Sequence, residues 1–393
     1  MTGSMVLDVF LVLLLLSFFA YGYRSGLVRS AAGIAGTVAG GVAAFFLVPI
    51  VGSWVPDPQW RTPAAVATAA LLLLGGLSIG SSLGYALRRR VRSTTLRRID
   101  RLLGAGLSAV VSALMLSLVG TSIGALGLPV VSPAIASSTV IRSIDSLTPI
   151  EVKVFLAQLR SAAVAEGIPS IVEAFQGPTP VIPDIETGSP ALDAASRSVV
   201  RITGNAYACG QNQSGSGWVV SDDRVVTNAH VVAGVSEPMV ESPGVGARPG
   251  RVVYFDPVKD LAVIAVDGLD TPALERSGNL DVGAVAVTDG YPFGGPFSSG
   301  PAEVISVGTL LVNDIYGNNP APREVYTLAA DVRQGESGGP VLTESGIVAG
   351  VIFAKSADTA DVGYALAMDE VEPVALQAPG LEEPVSSGSC TTA

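Results

Sequence analysis

The stretch Gln334-Gly335-Glu336-Ser337-Gly338-Gly339-Pro340 offers the clearest chemistry in the chain. A serine hydroxyl is a weak nucleophile at neutral pH and needs a base beside it and donors for the oxyanion that its attack creates. Glycines on both sides of Ser337 let the backbone turn tightly and aim two N–H groups at one point. The search for a base is short, because the chain holds a single histidine. His230 lies in Thr227-Asn228-Ala229-His230-Val231-Val232, directly after an apolar run that reads as a strand. Asp260, in Val258-Lys259-Asp260-Leu261-Ala262-Val263, puts a carboxylate at the start of another such run. The order is His, Asp, Ser, with spacings of 30 and 77 residues. Asp256 competes for the carboxylate role, but it precedes Pro257 and suits a turn better.

These side chains need a scaffold of short strands to hold them. From about residue 199 the chain becomes a series of Val/Ile-rich runs bounded by Gly, Asn, Asp and Pro, at 199–202, 217–220, 225–227, 252–255, 261–266, 284–287, 303–311, 325–329, 341–342 and 347–354. About ten to twelve strands at this spacing predict an antiparallel barrel or sandwich. Three further motifs accompany the first three: Gly215-Ser216-Gly217-Trp218, Tyr291-Pro292-Phe293-Gly294 and Val362-Gly363-Tyr364-Ala365-Leu366.

Taken in order, these motifs resemble the chymotrypsin-like serine proteases, and within them the bacterial trypsin-like and HtrA-type branch, over roughly residues 195–372. The resemblance implies an all-β chymotrypsin-like double β-barrel and peptide-bond hydrolysis with no metal or organic cofactor. It implies that Ser337 attacks the scissile carbonyl, that His230 carries the proton and that Asp260 fixes the imidazole. The N–H groups of Gly335 and Ser337 would bind the oxyanion. Asp331, six residues before Ser337, would take the floor of the S1 pocket and favour Arg or Lys; the alternative is a surface acid in a different loop. Phe353, Ala354 and Lys355 would lie along the edge that pairs with substrate. Glu336 stands where these enzymes commonly carry Asp or Asn.

Composition places this region beside something different. Of 393 residues, 49% are apolar and 15% charged, and the mean hydropathy of +0.51 excludes a disordered or wholly solvated chain. A net charge of −11 argues against nucleic-acid binding. Two cysteines exclude a disulfide-rich scaffold and a four-cysteine zinc site, and one histidine excludes a multi-histidine metal site. The charge is uneven: residues 1–128 carry ten Arg against three acids, whereas the remainder is strongly acidic.

Four stretches, 5–23, 27–51, 64–87 and 102–128, approach the ~20 apolar residues that a membrane helix needs. Seven Arg in 88–101, with Arg24 and Arg29, predict that the first and third connections are cytoplasmic. Both termini then lie outside, with Trp54 and Trp60 as interface anchors. Met1–Met5 has no Lys or Arg, so the first span lacks the positive start of a cleaved leader. The pairs Gly36/Gly40, Gly80/Gly84 and Gly120/Gly124 suit close helix packing, within one bundle or between copies. Asp8, Gly22, Arg24, Gly26 and Arg29 around the first connection resemble the colicin V production (CvpA) family of four-span membrane proteins.

The expected organisation is a four-helix transmembrane bundle at 1–128, a linker at 129–194 and a protease domain with its tail at 195–393. Within the linker, 150–175 has helical apolar period and 177–190 is Pro-rich, which makes 129–190 a candidate for self-cleavage. Cys209 and Cys390 fall on the outer side, where they pair or remain two free thiols. The combination resembles the actinobacterial membrane serine proteases linked to acid and oxidative stress survival. That implies extracytoplasmic protein substrates and a protease domain on the periplasmic or cell-wall side of the cytoplasmic membrane. An HtrA-type protease-chaperone would need a peptide-binding domain after the barrel, where only some 20 residues follow Glu372. A catalytically idle membrane scaffold is a rival from another class. A transporter would need ionisable groups in mid-span, and the spans have none.

Overall fold

The computed structural model describes residues 3–55, 58–88, 94–124, 134–135, 138–163, 169–171, 177–206 and 211–391. The chain divides into two compact units, residues 8–117 and residues 118–393 together with 1–7.

The first unit is built from α1 (Gly3–Ser25), α2 (Leu27–Trp54), α3 (Pro58–Arg88) and α4 (Thr94–Gly124). Each contains a window long and apolar enough to cross a membrane. Large apolar side chains such as Phe10, Leu13, Leu74 and Ile79 point outward, where only an apolar solvent would favour them. Glycine sets the packing of α2 on α3. A Cβ on Gly36 would stand 2.1 Å from the Gly76 carbonyl oxygen, and one on Gly80 the same distance from that of Ala32. Helix α4 starts eight residues before the expected apolar stretch at 102. Its charged first turns are tied down: Asp100 accepts from the Val28 N–H at 3.1 Å and from Arg88 Nε at 2.9 Å. Arg88 also donates to the Arg24 carbonyl at 2.8 Å.

The second unit opens with α5 (Thr139–Leu147), α6 (Ile150–Ala163), β1 (Ser170–Ile171) and α7 (Pro190–Ser196). Sequence reasoning placed this stretch in the linker at 129–194 without a helix before residue 150, and so missed α5. Its signal was Ser138, whose hydroxyl caps the Ile141 N–H at 3.2 Å ahead of Val140, Ile141 and Ile144. The helix expected over 150–175 ends at Ala163, and 164–168 and 172–176 lie outside the described residues.

Two seven-stranded sheets follow. The first contains β2 (Val199–Ala206), β3 (Gln211–Ser221), β4 (Arg224–Thr227), β5 (Met239–Ser242), β6 (Gly246–Pro249), β7 (Arg251–Asp256) and β8 (Leu261–Ala265), in the order β6-β5-β2-β3-β4-β8-β7. The second contains β9 (Val285–Gly290), β10 (Ser298–Val312), β11 (Ala321–Ala329), β12 (Pro340–Leu342), β13 (Val348–Ser356) and β14 (Val362–Ala367), with β1 added at the edge of β13. Pairing of β13 with β14 closes β9–β14 into a barrel and leaves the end of β13 as an edge, which β1 joins.

Period-2 alternation assigns the core. Along β8 and the residue after it, Ala262, Ile264 and Val266 pack inside the first sheet, while Leu261, Val263 and Ala265 face a cluster shared with the second. That shared cluster takes Trp218 and Val226 from the first sheet, Val287, Val325, Phe353 and Tyr364 from the second, and Met368 and Val371 from α9 (Met368–Gln377). Burial on both faces explains why 261–266 reads as a continuous apolar run rather than an alternating one.

Candidate active site

The end of β4 delivers the histidine. Thr227 donates its hydroxyl to the Ser216 carbonyl at 2.7 Å, Asn228 begins the one-turn helix α8 (Ala229–Val232), and His230 is its second residue. The turn between β7 and β8 delivers the carboxylate. Asp260 sits at φ +56°, a left-handed conformation that Asp tolerates, and is 2% exposed. Its Oδ2 lies 2.8 Å from His230 Nδ1, and its Oδ1 accepts from the His230 backbone N–H at 2.9 Å. Asn228 Nδ2 donates to the Asp260 carbonyl at 2.8 Å, closing the loop. With a carboxylate facing Nδ1, that nitrogen carries the proton and Nε2 is left as the base. Asp256 instead accepts from the Val258 and Lys259 N–H groups, both at 2.9 Å, and caps the turn.

The nucleophile turn comes from the second sheet, between β11 and β12. Gly335 and Gly338 take φ +92° and +85° on either side of Ser337. Each is pressed against backbone: a Cβ on Gly335 would meet the Tyr291 carbonyl oxygen at 2.5 Å, and one on Gly338 would meet that of Ser216 at 2.2 Å. Ser216 is the link that sequence reasoning left without a role, although it lies at the centre of Gly215-Ser216-Gly217. Its N–H donates to the Ser337 carbonyl at 2.8 Å and its hydroxyl to the Gly335 carbonyl at 2.7 Å. The Tyr291–Gly294 loop supports the turn from the far side, through Phe293 N–H to Gln334 O at 2.6 Å. A Cβ on Gly338 would also meet Thr227 Oγ1 at 2.3 Å and Asn228 N at 3.1 Å, so the turn lies beside the start of the histidine helix. Ser337 is 3% exposed and its hydroxyl makes no hydrogen bond, so the His230–Ser337 bond is not formed in this structure. Among the described residues the Gly335 and Ser337 N–H groups make no hydrogen bond either, whereas those of Glu336, Gly338 and Gly339 do.

Two carboxyls are buried behind this turn. Glu336 is 6% exposed and accepts from the Arg333 N–H at 2.7 Å. Burial pushes its carboxyl up to about 7, against the lowering effect of Arg333, with Asp331 and Asp289 adding repulsion. Asp289, at the end of β9, is 1% exposed and burial pushes it up to about 6.

The residues expected to set specificity stand differently from His230, Asp260 and Ser337. Asp331 borders a cleft of about 350 Å³ together with Lys355–Val362, but it is half-exposed and its carboxylate is already held by Arg333 Nε at 2.9 Å. Phe353 and Ala354 are buried in the shared core, with the Arg323 guanidinium 5.9 Å from the Phe353 ring centre. Only their main chain can meet a substrate. Cys390 is disulfide-bonded and its sulfur packs against Gly234; the one other cysteine of the sequence, Cys209, lies outside the described residues. Among the described residues no cluster of His, Cys, Asp and Glu could hold a metal.

A histidine held by a carboxylate on one β-sheet and a glycine-flanked serine on another are the parts that a trypsin-like serine protease uses. Comparisons with known proteins agree. Residues 215–351 match the family described as trypsin-like peptidase domain, and residues 7–149 match colicin V production protein. The serine protease Rv3671c of Mycobacterium tuberculosis is 34% identical over 406 residues, spanning the whole of both chains. By that full-length likeness the chain belongs to this family of serine proteases with a colicin V production domain. The solved structure of the Rv3671c protease in its active form is 39% identical, with a TM-score of 0.51, over 57% of this chain and all of that one. A probable DegP-like periplasmic serine endoprotease of Pseudomonas fluorescens is 30% identical over 42% of this chain and 34% of its own length. The chain is therefore a serine protease and, with its four membrane-competent helices, a multi-pass membrane protein.

Proposed function

We propose that this enzyme is an endopeptidase anchored in the cytoplasmic membrane, which cleaves extracytoplasmic proteins through Ser337, His230 and Asp260. The observation that carries the reading is the double grip of Asp260 on His230, through both ring nitrogen and backbone N–H. It presets the tautomer that leaves Nε2 to take the serine proton. The unengaged N–H groups of Gly335 and Ser337 suit an oxyanion site. The arginine distribution supports a protease domain outside the cytoplasm, with the bilayer as its permanent partner. A bond between Cys390 and Cys209 belongs to the same compartment. The role is maintenance of the cell envelope under acid or oxidative stress, and the Pro-rich tether within 129–190 is a site of self-cleavage.

A fluorophosphonate probe should label the detergent-solubilised protein at Ser337, and Ser337→Ala should abolish both labelling and peptide hydrolysis. Loss of one triad member costs up to about a millionfold in kcat in enzymes of this logic. Unlabelled wild-type protein would leave the idle scaffold as the better account.

A further inference from the structure

Strand β1 comes from the tether, far in sequence from the sheet it joins. It pairs in parallel with the end of β13, Ser170 opposite Lys355 and Ile171 opposite Ser356. Two N–H groups of that edge are occupied: Lys355 donates to the Pro169 carbonyl and Ala357 to the Ile171 carbonyl, each at 3.1 Å. Ile171 is half-buried against the core shared by the two sheets.

The position of this edge relative to the nucleophile is set by two backbone bonds. Gly338 N–H donates to the Ile352 carbonyl at 2.8 Å, and Ile352 N–H to the Gly339 carbonyl at 2.9 Å. Ile352 is thus locked to the nucleophile turn, and Lys355 lies three residues further along the strand, about 10 Å away at the rise of a β-strand. Lys355–Ala357 also borders the cleft that Asp331 lines. A polypeptide that binds by adding a strand to β13 uses the main-chain groups of the edge for affinity. One long enough to reach from Ser337 past Ala354 needs the N–H groups that Pro169 and Ile171 now fill.

We propose that residues 169–171 form a strap that occupies the outer part of the substrate edge and that an extended polypeptide must displace. The strap does not itself cover Ser337, because it pairs some three residues along β13 from the turn that carries the serine. It therefore discriminates by length. A substrate contacting only the residues beside Ser337 does not meet it, and a chain running along β13 to Lys355 does. Among the described residues the strap holds by two backbone bonds and the Ile171 side chain, few enough to be displaced. Being tethered, it competes at a high effective concentration.

The inference rests on the serine protease reading, and the test separates the two. Full-length protein in detergent is assayed with a single-residue ester and with a fluorogenic pentapeptide of the same P1 residue. Wild type is compared with Ile171→Asp, which puts a charge where an apolar side chain packs, and with Ile171→Val. The pentapeptide KM should fall about tenfold in Ile171→Asp, the scale of two competing backbone hydrogen bonds. Its kcat and the ester kinetics should not change, and Ile171→Val should behave as wild type. If Ile171→Asp also depresses ester hydrolysis, Pro169→Gly/Ile171→Gly, which adds no charge, is read in the same way. An unchanged pentapeptide KM with normal ester turnover overturns the strap alone. No ester turnover in wild type overturns the protease reading and the strap with it.

Discussion

At the scale of single residues, Asp260 commits both carboxylate oxygens to His230, and this is a positioning device as much as an electrostatic one. Asp260→Asn keeps the shape but can turn an amide N–H toward Nδ1 and stabilise the wrong tautomer. We expect kcat to fall by about 10⁴ with KM little changed, measured on a peptide substrate. Glu336 gives a prediction about pH. Its carboxyl, ordinarily near 4.5, stands at about 7 in the fold because it is buried, so the folded state binds the proton more tightly than the unfolded chain. Its contribution to stability is then full below about 4.5 and is lost as pH rises through about 7, on the order of 3 kcal/mol. Asp289 adds a decline of the same sign between about 3.8 and 6. Glu336→Gln can still accept from the Arg333 N–H and removes the first decline. Its melting temperature should exceed that of wild type at pH 8 and converge with it at pH 4.5; parallel pH profiles would count against the buried-acid account. The pairing of His230 with Asp260 was readable because rare residue types stood at motif spacing, the sole histidine above all. The capture of Asp331 by Arg333 and the burial of Asp289 were not readable, since both depend on where loops come to rest after folding.

At the scale of elements, the nucleophile turn is held by contacts that only glycine permits. Gly338 combines φ +85° with a Cβ position 2.2 Å from the Ser216 carbonyl oxygen and 2.3 Å from Thr227 Oγ1. Gly338→Ala must push the turn away from the strand that leads to His230. We expect a loss of stability of at least about 2 kcal/mol and the loss of fluorophosphonate labelling. Labelling at the wild-type rate would show that the turn relaxes without moving Ser337. The strands β2–β4 and β7–β13 were legible because Val/Ile runs with Gly and Asp between them have few other uses, and the run 261–266 appears where burial on both faces requires it, whereas β5, β6 and β14 were not among the expected runs. Helix α5 was missed because Ser, Thr and Arg dilute its apolar stripe. Strand β1 could not have been foreseen, because two residues carry no period and the pairing is made entirely by the partner strand.

At the scale of the whole molecule, two solvents divide the work. The helical unit turns large apolar side chains outward and joins α2 to α3 through small residues, while the β-rich unit buries its apolar residues between two sheets. Gly80→Leu would drive a branched side chain into the Ala32 carbonyl oxygen and part the two helices. We expect a lower thermal stability of the solubilised helices with fluorophosphonate labelling of Ser337 retained; loss of both together would mean that the two units do not fold independently. One consequence of the active site's make-up extends to every experiment on this protein. Because His230 is the only imidazole in 393 residues, isotope labelling of histidine puts one ring in the magnetic resonance spectrum. The proton it shares with Asp260 across 2.8 Å would give one far-downfield line that needs no assignment, from a protein too large and too greasy for routine spectroscopy.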